Sequence, residues 1–236
     1  MNETNNLAQR KCEPIIIGDV SASPFFSFFN ADNMEIMAQY PDKYFDLAIV
    51  DPPYGIERFK KGSLRFDKNN KHQNGIEWDN KPLQEYWDEL FRISNNQIVF
   101  GANNFTMPPS EYFLIWNKHQ TVDNFASAEY AWVSMGLKTP AKVFDFSIHK
   151  HNQVDKIHPT QKPIDLYDWI IRNYSKPNQK IIDTHLGSGS IALAIDKANK
   201  LDNMNLEFVG IELDTEYFNA AVNRFRLAHA QSCLSF

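Results

Sequence analysis

The residues best equipped for chemistry fall in two short stretches. The first is Asp51-Pro52-Pro53-Tyr54-Gly55, directly after the apolar run 45–50. A carboxylate that ends a buried strand, followed by two prolines of restricted φ, is an acceptor with a fixed position. Asp51 and the Pro52 carbonyl can together accept hydrogen bonds from an exocyclic NH₂, and Tyr54 can stack on the ring that carries it. A flat, amino-bearing aromatic substrate is a nucleobase. A base in a duplex must leave the stack to be reached, at a cost of a few kcal/mol, and aromatic stacking partly offsets that.

The second stretch, DTHLGSGSIALA (183–194), places Gly187, Gly189 and Ala192 in a G-x-G-x-x-A pattern between a strand and a helix. Glycine there lets the backbone approach a ligand, and the helix N-terminus favours negative charge. Glu212 ends the next strand, where an acid accepts from ribose hydroxyls. Alone, the turn fits a dinucleotide enzyme as well as a nucleoside-cofactor enzyme. Two details favour the second. Asp183 precedes the glycines, where it suits a positively charged group rather than a pyrophosphate, and the strand comes late in the chain. A cationic ligand with a ribose and no phosphate suggests S-adenosylmethionine (SAM).

The elements that must hold these residues alternate. FFSFFNADNMEIMAQYPD (25–42) reads as a strand, a cap at Asp32 or Asn33 and a short helix. The run 45–50 is apolar apart from Asp46, as in a parallel strand buried on both faces. LQEYWDELFRIS (83–94) is a helix with Trp87, Leu90 and Phe91 on one face, and QIVFGANNF (97–105) and YFLIW (112–116) contain further buried strands. Weaker strand signals lie in AEYAWVSM (128–135) and KVFDFSI (142–148). PIDLYDWIIRNYS (163–175) is a helix with proline at its start. Strand, glycine turn, helix, strand and amphipathic helix then close the chain. This order predicts an α/β fold, Rossmann-like and doubly wound around a mostly parallel sheet. One domain over 25–236 is expected, with a loop at 56–77 and an elaboration at about 104–157; residues 1–24 form an extension without an assigned role.

The chain resembles the SAM-dependent amino-methyltransferases of DNA. The resemblance rests on DPPYG (51–55), HPTQKP (158–163), DTHLGSGS (183–190) and GIELD (210–214), with NADNMEIM (30–37) and QIVFGANNF as supporting segments. The catalytic motif comes first and the cofactor motif last, which is the permuted β-class order. The resemblance implies that Asp183, Gly187, Ser188 and Gly189 line the methionine portion of SAM, that Glu212 binds its ribose and that Asp32 lies near its adenine. It places Thr160 and Lys162 at the amino-acid end, and Asp51, Pro52, Pro53 and Tyr54 around the target base, with Asp51 also beside the cofactor. His185 stands where the family usually has phenylalanine, so one packing contact over the cofactor differs. An aspartate at the first motif position goes with adenine N6 in this family, and a serine with cytosine N4.

The chemistry so implied is a direct displacement. Two acceptors on the amine hydrogens favour a tetrahedral nitrogen whose lone pair meets the sulfonium methyl, so orientation and electrostatics carry the rate. No metal motif is present. A cytosine-C5 mechanism needs a nucleophilic cysteine, normally after proline, and neither Cys12 nor Cys233 follows one.

The net charge of −5 over 236 residues argues against coating nucleic acid by bulk charge. Local basic clusters remain. Residues 57–72 hold Arg58, Lys60, Lys61, Arg65, Lys68 and Lys71 against Glu57 and Asp67, a local excess of four positive charges. A second cluster, with Lys138, Lys142 and Lys150, is interleaved with Phe144 and Phe146 in the expected recognition segment. Both suit phosphate contacts with double-stranded DNA. Hydrophobic content of 43%, two isolated cysteines, no secretory signal and no apolar run of roughly 20 residues point to a cytoplasmic globular protein without a membrane partner. The resemblance implies a prokaryotic, phage or prophage setting. The resemblance leaves room for a homodimer and for a cognate restriction endonuclease on a separate polypeptide. The alternatives are a cytosine-N4 enzyme, an NAD-dependent oxidoreductase on the same glycine turn, and a catalytically silent DNA-binding protein.

Overall fold

The computed structural model describes residues 13–18, 25–55, 80–123, 125–151, 156–158 and 160–233. The basic loop with Arg58, Lys60, Lys61, Arg65, Lys68 and Lys71 lies outside them, as does most of 1–24. In chain order the elements are β1 Ile15–Ile17, β2 Phe26–Asn30, α1 Asn33–Met37, β3 Phe45–Val50, α2 Gln84–Ile93, β4 Ser94–Phe100, β5 Phe113–Asn117, β6 Ala128–Val133, β7 Lys142–Asp145, α3 Ile148–His151, α4 Ile164–Tyr174, β8 Lys180–Asp183, α5 Ser190–Asp202, β9 Glu207–Glu212 and α6 Thr215–Cys233. No helix among the described residues is long and apolar enough to cross a membrane. The chain divides into two compact units, Met1–Pro41 with Asp155–Phe236, and Asp42–Val154.

In the first unit the strands run β1-β2-β9-β8. β2, β9 and β8 are mutually parallel, and β1 pairs antiparallel with β2. The register matters for the site: Asn30 lies opposite Glu212, and Asp183 opposite Gly210, so the polar residues gather at the carboxyl ends of neighbouring strands. Apolar side chains fix that register. Phe26 and Phe28 meet Phe208 and Phe225, with the Phe26 and Phe225 centroids 4.6 Å apart. Burying each such ring stabilises by roughly 1.5–3 kcal/mol. A one-residue slip would turn them all to the opposite face. Asp32 caps α1, its Oδ1 accepting from the Met34 N–H at 2.7 Å.

In the second unit the order is β3-β4-β6-β5-β7. β3 and β4 are parallel, as the largely apolar run of β3 predicts, and Val50 sits opposite Val99. The segments that leave these two strands, beginning at Asp51 and Gly101, therefore emerge side by side. Beyond β4 the sheet is mixed: β6 pairs antiparallel with both β4 and β5, and β7 pairs parallel with β5.

Candidate active site

The first unit gathers most of the expected cofactor residues around the turn between β8 and α5. Asp183 is 2% exposed and accepts the His185 N–H at 2.9 Å. Gly187 and Gly189 both take left-handed backbone angles, with φ of +50° and +68°, which glycine adopts without steric penalty. A side chain at Gly187 would meet nothing nearer than the His158 ring, at 3.8 Å. That open space beside a bare backbone is what a bound ligand requires. Glu212 reaches across from β9: Oε2 accepts the Gly187 N–H at 2.8 Å and Oε1 the Asp214 N–H at 3.0 Å. Burial holds the Glu212 carboxyl above the ordinary carboxylate range, against the pull of these backbone donors.

His185 is locked by polar partners. Asn33 Nδ2 is a donor and lies 3.1 Å from His185 Nε2, so that nitrogen accepts and the ring proton sits on Nδ1, 2.9 Å from Thr184 Oγ1. Desolvation lowers the His185 pKa to about 3, keeping it neutral. Through His185 a polar network thus ties α1 to the end of β8. Asp32 is exposed, and its carboxylate serves as the α1 cap.

His158 is a member of this group that sequence reasoning passed over. Its ring packs edge-on against Tyr217 at 4.4 Å, and its Nδ1 accepts from the Thr160 N–H at 3.3 Å. Desolvation first, then the charge of Lys162, lower its pKa to about 4. Thr160 is exposed and Lys162 is buried, at 5% exposure. Ser188 is buried, its Oγ 3.1 Å from Ser190 Oγ.

The second unit holds the other motif. Tyr54 Oη donates to Asp51 Oδ1 at 2.6 Å, a short charge-assisted bond. Pro52 is buried and Pro53 half-buried. Burial raises the Tyr54 pKa well above its usual value, and the nearby charges of Asp51 and Glu129 add to that, so the hydroxyl remains a donor. Its ring lies on Gly101, whose φ is +62°; a Cβ there would fall 2.1 Å from Tyr54 Cε1. Phe105 meets the same ring edge-on at 6.2 Å. Gly101 itself is pinned by a hydrogen bond from its N–H to the Tyr130 carbonyl at 2.9 Å. Glu129, next to Tyr130 on β6, pairs with Lys118. Neither Gly101 nor Glu129 stood out in sequence, although the glycine falls in the QIVFGANNF segment.

Among the expected DNA-contacting lysines, Lys138 and Lys150 are exposed and Lys142 is half-buried on β7. Lys150 Nζ stands 5.1 Å over the Phe146 ring. All three lie in the second unit.

A model of the N6/N4 DNA methylases matches residues 95–223, more than half of the chain. The type II methyltransferase M1.MboII of Moraxella bovis is 34% identical over 243 residues, spanning 79% of this chain and 91% of that one. The chain belongs to the N6/N4 DNA methylase family. Two solved structures share the fold of this methylase. The M1.HpyAVI–SAM complex has a TM-score of 0.54 at 20% identity, with 84% of this chain and 99% of that chain covered. The PvuII DNA methyltransferase, described as cytosine-N4-specific, has a TM-score of 0.54 at 15% identity, with 86% of each chain covered. The methylase therefore has the α/β fold expected from its sequence.

Proposed function

We propose that this methylase transfers a methyl group from SAM to the exocyclic N6 of adenine in double-stranded DNA. The observation that carries the reading is the Tyr54–Asp51 hydrogen bond of 2.6 Å, which fixes a carboxylate directly after β3. The acid at the first motif position, where the family's cytosine-N4 members have serine, favours adenine.

The donor set of the first unit fits SAM: a buried carboxylate at Asp183, an open glycine turn and an acid at Glu212. SAM supplies an electrophilic methyl group. Asp183 faces positive charge at the strand end. Glu212 shapes the turn through the Gly187 N–H and offers its remaining lone pairs to ribose hydroxyls. Gly187, Ser188 and Gly189 present backbone to the methionine portion, Asp32 stands near the adenine, and His185 forms part of the wall. Thr160 and Lys162 hold the amino-acid end.

In the second unit, Asp51 and the Pro52 carbonyl accept hydrogen bonds from the target NH₂, which favours a tetrahedral nitrogen with an available lone pair. Tyr54 orients Asp51 through its hydroxyl and offers its ring to the base, while Pro53 stiffens the segment. The carboxylate has no need to be a strong base, because the proton leaves after transfer. Lys138, Lys142 and Lys150 contact phosphates, and 104–157 serves as the target-recognition segment. Such a reaction belongs in the cytoplasm of a prokaryote, where its DNA substrate lies.

The test is to incubate the protein with methylation-free DNA and methyl-labelled SAM, digest to nucleosides and identify the labelled one. N6-methyladenine is expected. N4-methylcytosine would keep the transfer chemistry and overturn the base assignment.

A further inference from the structure

The turn at 187–190 is held at several points within its own unit. The Gly187 N–H donates to Glu212, and the Gly189 N–H to the Leu186 carbonyl at 2.9 Å. The Ser188 carbonyl is engaged from α6. Arg224 Nη1 donates to it at 2.9 Å and to Ser190 Oγ at 3.1 Å. Ser188 is flanked by two left-handed glycines. Peptide planes beside glycine reorient at little steric cost, so an anchored carbonyl removes a freedom the sequence leaves open.

Fold stability alone does not account for a cation here. Arg224 is part-buried, and burial lowers its pKa. Both of its hydrogen-bond acceptors are neutral, and among the described residues it forms no ion pair. The nearby N-terminus of α5 carries partial positive charge, which disfavours a further cation. An apolar side chain of similar length would avoid the desolvation penalty. What an apolar chain cannot do is fix a carbonyl and a hydroxyl at once with a rigid planar donor.

We propose that Arg224 is a positioning residue of the cofactor site: by anchoring the Ser188 carbonyl it sets the shape of the glycine turn and thereby the affinity for SAM. The inference rests on that turn being the SAM cradle. It extends the site to α6, one residue past the segment that the family model matches.

The experiment is calorimetric titration of SAM into the wild-type chain, Arg224→Met and Arg224→Lys, with the KM for SAM and for DNA measured on the same preparations. Arg224→Met is expected to weaken SAM binding about tenfold, the effect of losing the charge-assisted hydrogen bond that anchors the Ser188 carbonyl. Arg224→Lys keeps a charged donor and should recover most of that loss. The KM for SAM should follow the binding constant while the KM for DNA does not move. Arg224→Met binding SAM within twofold of wild type overturns the proposal. Equal losses for SAM and DNA, unrescued by lysine, also overturn it, because they mark a general packing defect. Should the methionine variant not fold, Arg224→Gln gives the same comparison, with at least threefold weakening expected. Wild-type protein that binds no SAM would instead refute the reading of the turn itself.

Discussion

Replacing Gly101 with alanine should disable the Asp51–Tyr54 pair without altering either residue. The new Cβ would lie 2.1 Å from Tyr54 Cε1 and 2.3 Å from Cζ. Carbon atoms in contact stand about 3.5–4.0 Å apart, so the ring would have to withdraw by roughly 1.5 Å. The Tyr54 hydroxyl is now 2.6 Å from Asp51 Oδ1, and such a movement takes it out of hydrogen-bonding range. A bond to a charged group contributes about 1.5–3 kcal/mol. If the transition state feels all of that, the rate falls about 10- to 100-fold. The φ of +62° adds strain of about 1–2 kcal/mol for any residue with a Cβ. The assay is single-turnover transfer of labelled methyl at saturating SAM and DNA, run beside a thermal melt and a SAM titration. The rate should drop by that factor, the Tm should fall by a few degrees, and SAM affinity should hold within twofold. A Gly101→Ala protein that transfers methyl at the wild-type rate would refute the claim that the ring's seat on Gly101 sets Asp51.

Tyr54→Phe keeps the ring and loses the donor, so the rate should fall about tenfold with little change in Tm; an unchanged rate would strip the hydroxyl of its orienting role. Glu212→Gln replaces one acceptor oxygen with an NH₂ facing a backbone N–H, and should weaken SAM binding at least tenfold and lower unfolding stability by about 1–3 kcal/mol, read from urea melts. His185 and His158 have folded pKa values of about 3 and about 4, below the ordinary 6.5. Their contribution is therefore complete above the unfolded value and is lost as pH falls towards the folded values. From pH 7 to pH 5 the urea midpoint should drop by the equivalent of about 1–2 kcal/mol per histidine, with raised Glu212 opposing part of it. His185→Phe should flatten that slope, and an unchanged slope would contradict the assignment. Changing Lys138, Lys142 and Lys150 to alanine one at a time should each lower the salt slope of DNA binding by about 0.9; a lysine whose loss leaves the slope unmoved contacts no phosphate.

Both motifs could be read from the sequence because their signals are local. Proline stiffness after a buried strand, a G-x-G turn and an acid ending the next strand need no knowledge of distant partners. The Asp32 cap was readable for the same reason. The antiparallel insertion of β6 between β4 and β5 was not, because period and composition identify strands and not their neighbours. β1 escaped notice because three isoleucines give too short a run to distinguish a strand from a loop; it forms because β2 offers an edge to pair with. The contacts that tune the site were hidden for a further reason. Gly101 matters only once Tyr54 lies on it, and Arg224 sits 36 positions from the serine it anchors. His185 read as a departure from pattern; the structure gives it Asn33 and Thr184 as partners, which a sequence could not have paired.

The most direct test of the account is Asp51→Ala, assayed for SAM binding and for methyl transfer on one preparation. Apart from Asp51, which the resemblance also sets beside the cofactor, the proposed SAM-binding residues all lie in the first unit, whereas Asp51 is the acceptor for the target amine. SAM binding within a few-fold of wild type and a loss of transfer of at least about 100-fold are therefore expected. Transfer at a wild-type rate would contradict the account, since the carboxylate would then have no part in presenting the amine.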